Sequence, residues 1–326
     1  MKAAIVTKYG GPEVIKIIEV EKPTPKQTEV LVRVKAFGVT SGDVRIRSAK
    51  FPKGFSIPAR LALGIFAPRK KILGSEFSGV IEAVGSNVNE FKIGDEVIGF
   101  RVSNIYAEYA VIDINAAILH KPNNLTFEQA AGIPFGASTA LYFLNKAGLK
   151  ANQSILINGA SGAVGSNAVQ IAASRGANVT GVCSGSNADF VKSLGATNIV
   201  DYKTTNLKDL SLKFDVIFDT VGNLIFNDYK HLLNSNGIFL QAVATFGELF
   251  AKKNHEDGKQ FLTGTAPEKK EDLKVIIDLI ETNKLKPSID KVFEFMDIAK
   301  AHEYVETGRK KGSVVVKISV IGHEYA

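Results

Sequence analysis

The chain has 326 residues, 45% of them apolar, enough to bury two separate cores. With 40 Lys and Arg against 33 Asp and Glu, the net charge is +7 and the pI near 9.2, a balance that suits a ligand carrying several phosphates. A single cysteine, Cys183, excludes an internal disulfide and any centre built on several thiolates, and no stretch approaches the ~20 apolar residues of a membrane span, so a soluble cytoplasmic chain is expected.

Short strands with turn signals between them are predicted over 2–8, 14–19, 29–38, 79–85, 96–99 and 107–111, punctuated by Pro23, Pro25, Pro52, Pro58 and Pro68. Strands of this length without intervening long helices predict an antiparallel, barrel-like domain. Segment 51–71 is proline-punctuated and mixes apolar with basic residues, as a lid over a cleft or a surface loop held by a partner subunit would. Phe55, Ile57, Leu61, Phe66 and, far downstream, Phe246 are candidates for an apolar ligand wall. Arg69-Lys70-Lys71 and Arg309-Lys310-Lys311 read as solvated faces, and no basic run is interleaved with aromatics, so neither nucleic acid nor membrane is an expected partner.

A helix is predicted over 126–146, opened by Thr126 with Gln129 three residues on, the pattern of a capping box. The most informative stretch follows: SILINGASGAVGSNAVQIAASRG, residues 154–176, runs from a β-branched strand through a glycine-rich turn into an Ala-rich helix. Glycines there let the main chain turn tightly, approach a pyrophosphate and pack the helix on the strand, while the helix N-terminus supplies partial positive charge. Gly159, Ser161, Gly162, Ala163, Val164 and Gly165 are therefore the candidate phosphate contacts, although Ala160 stands where the usual fingerprint has its first glycine.

The next strand, 178–183, ends where an Asp or Glu, about 20 residues on, would hold the ribose 2′-OH of NAD. Here the chain reads Cys183-Ser184-Gly185-Ser186-Asn187, which admits a 2′-phosphate and offers Ser184, Ser186 and Asn187 as donors, so NADPH is the expected cofactor; the same residues would also make an ordinary helix-capping turn. Strands over 197–202, 214–221, 237–242 and 260–264, with helices over 188–194 and 226–233, predict a doubly wound parallel sheet. Ligands bind beyond the carboxyl ends of such strands, which selects Tyr202, Val221, Gly222, Asn223, Ala244, Thr265 and Ala266 as wall candidates. A helix over 271–283, broken by Pro287, and a last strand over 312–320 close the chain, returning to the first domain.

Several blocks in order resemble the medium-chain dehydrogenase/reductase superfamily, specifically its zinc-free quinone oxidoreductase branch, the zeta-crystallin-like proteins. They are KAAIVTKYGGPEVIKI at 2–17, GVTSGDVRIRSA at 38–49, LGSEFSGVIEAVGSNVNEFKIGDEVIG at 73–99, AAGIPFGASTALYFL at 130–144, the glycine turn, SLGATNIVDY at 193–202, FDVIFDTVG at 214–222 and GRKKGSVVVKI at 308–318. The resemblance implies a barrel-like (GroES-like) antiparallel catalytic domain at 1–122 and 267–326, a Rossmann dinucleotide-binding domain at 123–266, and a homodimer. It also implies that Thr40 touches the nicotinamide amide, that Thr139 lies beside the nicotinamide and that Tyr202 contacts the adenosine end. Arg45 would reach the cofactor phosphates or a developing enolate. The branch usually carries Asn-Pro where this chain has Thr40-Ser41, and often an aromatic or a lysine where it has Arg45. The residues leave alternatives open: Asp43 and Arg45 pairing with each other, Thr139 bonding back to its own helix, and Tyr202 packing at the sheet edge.

Zinc-dependent alcohol dehydrogenases of the superfamily place a cysteine in the block matching Phe37-Gly38-Val39 and a histidine at the position of Ser75; this chain has neither. Its five histidines, His120, His231, His255, His302 and His323, lack ligand spacing and read as surface residues, and no metal is expected. Without a Lewis acid, alcohol oxidation is hard to support, whereas a quinone or α,β-unsaturated carbonyl needs only a hydride, a hydrogen-bond donor and a proton. The expected activity is NADPH-dependent reduction of such an acceptor. Alternatives are a zinc-free alcohol dehydrogenase, an enoyl-thioester reductase, or a nucleotide-bound regulatory protein that has lost catalysis.

Overall fold

The computed structural model describes residues 1–101, 103–250 and 256–319. An antiparallel pair, β1 (Lys2–Val6) and β2 (Ile15–Glu19), precedes the long β3 (Glu29–Val39), α1 (Ser41–Ser48) and α2 (Ser56–Leu63). Four strands follow, β4 (Glu76–Val84), β5 (Glu96–Phe100), β6 (Tyr109–Asp113) and β7 (Ala117–His120), all antiparallel to their neighbours. The predicted strands are all present, shifted by one to three residues. Segment 51–71, in contrast, holds a helix, α2, none of whose residues is buried.

The helix predicted over 126–146 is two helices, α3 (Phe127–Ala131) and α4 (Pro134–Lys146). Pro134 has no N–H to continue the ladder of α3 and sits instead at the first position of α4, where none is needed. The Thr126–Gln129 capping box is present, Gln129 N–H donating to Thr126 Oγ1 at 3.2 Å and Thr126 N–H to Gln129 Oε1 at 3.0 Å.

Parallel strands β8 (Ser154–Asn158), β9 (Asn178–Cys183), β10 (Asn198–Asp201), β11 (Phe214–Asp219), β12 (Leu233–Gln241) and β13 (Gln260–Thr263) alternate with α5 (Ala163–Ser174), α6 (Ala188–Ser193) and α7 (Phe226–Tyr229). The sheet order β10-β9-β8-β11-β12-β13 reverses direction at β8, so the turn after β8 lies at the switch point where such sheets bind ligands. Ile155, Leu156 and Ile157 are buried on both sheet faces, as a continuous apolar run requires.

The remainder consists of α8 (Lys270–Glu281), β14 (Ile289–Glu294), α9 (Ile298–Glu306) and β15 (Ser313–Lys317). Sequence patterning missed β14 and α9: β14 is an edge strand without buried residues, and α9 is short. β15 pairs antiparallel with β3 and parallel with β14, so the tail returns to the first sheet, whose order is β14-β15-β3-β4-β5-β7 with β6 also on β3. Val320, the last residue of the predicted final strand, lies outside the described residues.

The two sheets meet along a seam that fixes the cleft. Gly312 N–H donates to Ser161 O at 2.8 Å, Phe135 N–H to Glu76 Oε2 at 2.8 Å, Ser313 Oγ to Gly132 O at 2.5 Å and Ser78 Oγ to Phe127 O at 2.6 Å. One apolar core surrounds β3 and β4, a second lies under α4, α5 and β8, and a third, around Leu156, Ile217 and Phe239, packs the opposite face of the parallel sheet.

Candidate active site

At the switch point each glycine has a distinct job. Gly159 has φ +78°, a left-handed conformation that a side chain disfavours, and a Cβ there would stand 2.6 Å from Val221 Cγ2. Gly165 presses α5 onto the turn so closely that a Cβ would lie 2.1 Å from Gly159 O. Gly162 caps α5 with no side-chain acceptor, and a Cβ on it would meet nothing nearer than Gly159 O at 3.4 Å, so its open side is available to a ligand. Helix geometry leaves the N–H groups of Ala163 and Val164 without intrahelical acceptors, a ready anion site. The tight turn that the first fingerprint glycine would make falls one position earlier, on Gly159, and the Ala160 methyl is accommodated because Gly181 opposite has no side chain.

The candidate ribose edge lies at the ends of β9 and β10. Ser184 Oγ lies 3.0 Å from Ser186 Oγ, and Asn187 Nδ2 donates to Ser161 Oγ at 3.2 Å, tying this turn to the glycine turn. Tyr202 N–H donates to Cys183 O at 3.3 Å, which stands the exposed phenol beside the same turn. Sequence spacing overlooked Asp201: it comes from the neighbouring strand, and a Cβ on Gly185 would lie 2.6 Å from its Oδ2. A carboxylate thus faces this edge although none stands in the five residues that follow β9 in the chain.

Across the sheet, the fully buried Asp219 carboxylate accepts Val221 N–H, Gly222 N–H and Leu224 N–H, each at 3.0 Å, and Asn158 Nδ2 at 2.9 Å. It therefore shapes the 221–224 loop against Gly159. The signal was the Asp-Thr-Val-Gly at a strand end, an aspartate that hydrogen-bonds its own backbone two residues on. Thr265 is exposed, just past Gly264, whose open face abuts the Tyr142 hydroxyl and Lys146 on α4. Thr139, one turn earlier on α4, donates its hydroxyl to Phe135 O at 2.8 Å, the bond back to its own helix.

The floor belongs to the first sheet. Thr40 and Asp43 form a capping box at the start of α1: Thr40 Oγ1 donates to Asp43 Oδ2 at 2.6 Å, Thr40 N–H to the same oxygen at 2.9 Å, and Asp43 N–H to Thr40 Oγ1 at 3.1 Å. Asp43 is committed to Thr40 and is not paired with Arg45, contrary to one of the sequence alternatives. Burial pushes the Asp43 carboxyl up against the opposing effect of these bonds. Arg45 lies half-buried with no hydrogen bond or ion pair to any described residue, and burial lowers its pKa. It follows by three positions, and so shares a helix face with, Gly42, which looks onto the Phe135 ring at the start of α4.

Glu76 is fully buried at the seam, with room for its carboxyl only because Gly38 opposite lacks a side chain: a Cβ there would lie 1.9 Å from Oε1. Burial raises its pKa to about 8, against the Phe135 N–H that favours the anion. Nearby Lys310, read from sequence as part of a solvated cluster, is instead tucked into the seam, donating to Gly312 O at 2.9 Å, and burial lowers its pKa to about 8. Behind this floor lies a polar cluster in the core. Arg47 pairs with Glu306, the Tyr106 ring packs edge-on against His302 at 5.6 Å, and burial pushes His302 down to about 3. His302 is thus a core residue rather than the surface one expected. His120 and His231 are exposed, bonding Asp95 and Lys208 O; His255 and His323 lie outside the described residues.

Zinc does not fit these residues. Among the described residues no three His, Cys, Asp or Glu side chains converge; Ser75 Oγ is buried without a partner, and Glu76 is held by Phe135 N–H. A catalytic zinc needs three such ligands.

The chain matches the family model for the alcohol dehydrogenase GroES-like domain over residues 26–123 and that for zinc-binding dehydrogenases over residues 194–316. It is 32% identical to a quinone oxidoreductase of Pongo abelii, across 94% of each chain. It is 31% identical to a chloroplastic NADPH-dependent alkenal/one oxidoreductase of Arabidopsis thaliana, across 97% of this chain and 79% of that one. The solved quinone oxidoreductase from Coxiella burnetii superposes with a TM-score of 0.86 at 28% identity, covering 98% of this chain and 99% of that one. Two sheets joined at a glycine-turn cleft, with this kinship along nearly the whole length, make the chain an oxidoreductase that belongs to the medium-chain dehydrogenase/reductase superfamily, in its quinone oxidoreductase branch.

Proposed function

We propose that the protein reduces quinones or α,β-unsaturated carbonyl compounds with NADPH, without a metal. The observation that carries this reading is Arg45: a half-buried guanidinium without a partner among the described residues, on the side of α1 shared with Gly42, which looks onto Phe135 at the start of α4, and with no converging metal-ligand set among those residues. Bound NADPH would supply the hydride. The Gly159–Gly165 turn holds the pyrophosphate through the first N–H groups of α5, and Ser184, Ser186, Asn187 and Tyr202 form the adenosine end. Thr139 retains a lone pair for the nicotinamide amide, and the Thr40–Asp43 cap fixes the direction of α1. As charge moves onto the acceptor oxygen, Arg45 stabilises it without needing to be pulled from another partner. The product oxyanion then takes its proton from water. The names of the relatives in quinone and alkenal reduction support the choice of acceptor.

Among the described strands the outermost, β13, pairs with β12 alone, which suits a homodimer formed by edge pairing; a molar mass of one chain in light scattering would exclude it. The lone buried Cys183 suits the reducing cytoplasm.

Arg45→Ala tests the reading. Turnover of the acceptor should fall roughly 100-fold, the size of one lost oxyanion donor. The melting temperature should hold, because no protein group loses a partner. Unchanged turnover would remove Arg45 from the chemistry, and a rise confined to the KM for NADPH would move it to the cofactor phosphates.

A further inference from the structure

Between Asp43 and Glu76 the chain carries eight Lys or Arg and no Asp or Glu. Arg45 and Arg47 turn inward; Lys50, Lys53, Arg60, Arg69, Lys70 and Lys71 are all exposed. The same stretch presents apolar side chains to solvent: Ile57 is 74% exposed, Leu61 58%, Ile65 52% and Phe66 87%. Ile57 and Leu61 are four residues apart and share one face of α2, whose eight residues bury none of their number. Ile57, Leu61 and Phe66 were candidates for an apolar ligand wall; all three face solvent.

Polar contacts hold the helix up while its apolar face stays bare. Tyr9 Oη donates to Gly64 O at 2.6 Å, the Arg60 guanidinium lies 5.1 Å from the Tyr9 ring, and Arg60 and Arg69 donate to Ile65 O and Leu61 O at 3.1 and 3.0 Å. The patch continues across the mouth of the cleft. Phe246 N–H donates to Lys53 O at 2.9 Å, Phe55 packs edge-on against Phe246 at 5.4 Å, and Phe246 against Phe250, itself 76% exposed. That second segment follows β12 on the ligand side of the parallel sheet. Two carboxylates border the patch: Glu248, between Phe246 and Phe250, is held by the Thr245 N–H and hydroxyl at 2.7 and 2.8 Å, and Glu268 lies near Lys70.

We propose that this face docks on an anionic lipid bilayer, with Ile57, Leu61, Ile65 and Phe66 seated in the headgroup boundary and the surrounding lysines and arginines on the lipid charges. Bare apolar side chains ringed by cations, with no acidic residue in the segment, are complementary to an anionic interface, whereas a water-facing helix would carry charge on its outer face. No helix of the described residues is long and apolar enough to cross a membrane, so the contact is with the surface. Docked this way, the cleft mouth opens toward the bilayer, where apolar quinones reside; that consequence rests on the reductase reading, while the docking itself does not.

Flotation of the full chain with vesicles of phosphatidylcholine, alone or with about one third phosphatidylserine, tests the docking with no acceptor present, so its failure would leave the reductase reading standing. Binding is expected to the anionic vesicles only, falling at least about tenfold between about 0.1 and about 0.5 M salt as the charges are screened. The double substitution Leu61→Ser and Phe66→Ser should weaken it by about tenfold while NADPH fluorescence reports an intact cofactor site. No flotation at low salt, equal binding to neutral vesicles, or a variant that floats like the parent would overturn the proposal. A concentration-dependent dimer abolished by the same substitutions would overturn it as well, assigning the patch to a second copy.

Discussion

Glu76 has its carboxyl confined between Gly38 and the start of α4, and burial keeps its proton on up to about 8 against 4.5 for an ordinary glutamate. The folded chain therefore holds a proton that the unfolded chain releases. Stability from this group is intact below about 4.5 and is lost as the pH rises through about 8. Glu76→Gln keeps an acceptor for the Phe135 N–H and cannot ionise. The variant should match the parent near pH 4.5 and exceed it by roughly 3 kcal/mol at pH 7, read as a widening gap in thermal midpoint; a constant gap across that range would contradict the buried acid. At the ribose edge, Asp201 faces Gly185 where a 2′-phosphate would sit, a repulsion on the order of 1 kcal/mol for charges near a protein surface. Asp201→Asn is expected to improve the preference for NADPH over NADH about fivefold in kcat/KM. Equal gains for both cofactors would place the phosphate elsewhere.

At the scale of the element, the glycine turn separates folding from binding. Gly165→Ala drives a methyl into Gly159 O at 2.1 Å, so α5 must lift from the turn, and a loss of roughly 1–3 kcal/mol of stability is expected from thermal unfolding. A Cβ at Gly162 meets nothing nearer than Gly159 O at 3.4 Å, so Gly162→Val should fold, at a cost of about 1 kcal/mol, while NADPH affinity falls by roughly 100-fold. If both variants lost stability alike, the open side of Gly162 would not be the ligand side. This turn was legible because its physics is local: a β-branched strand, small residues and a helix start occur within two dozen positions. The break between α3 and α4 was also written in the chain, at Pro134. What could not be read came from juxtaposition. Asp201 reaches the Ser184 turn from a neighbouring strand, Lys310 is buried by a seam between two sheets, and His302 lies inside because Arg47 and Tyr106, over 190 residues earlier, close around it. Edge strand β14 buries none of its residues and so carries no alternating pattern to stand out.

Over the whole molecule, hydrogen bonds along the seam between an antiparallel and a parallel sheet tie the glycine turn to the start of β15 and the start of α4 to Glu76. In the proposed reading, the charge needed for hydride chemistry would come from helix N–H groups and one guanidinium; no converging set of metal ligands is present among the described residues. Both the fold and the kinship were legible from the order of blocks along the chain; which acceptor enters was not, since the cleft walls come from loops joined only in three dimensions. The most direct test is loss of NADPH absorbance by chelator-treated protein against a quinone, a simple enone and an aldehyde, with NADH in parallel. Turnover of the quinone or enone, undiminished by the chelator, is the expected result. Binding of NADPH without turnover of either, or turnover that returns only when zinc is added, would contradict the account.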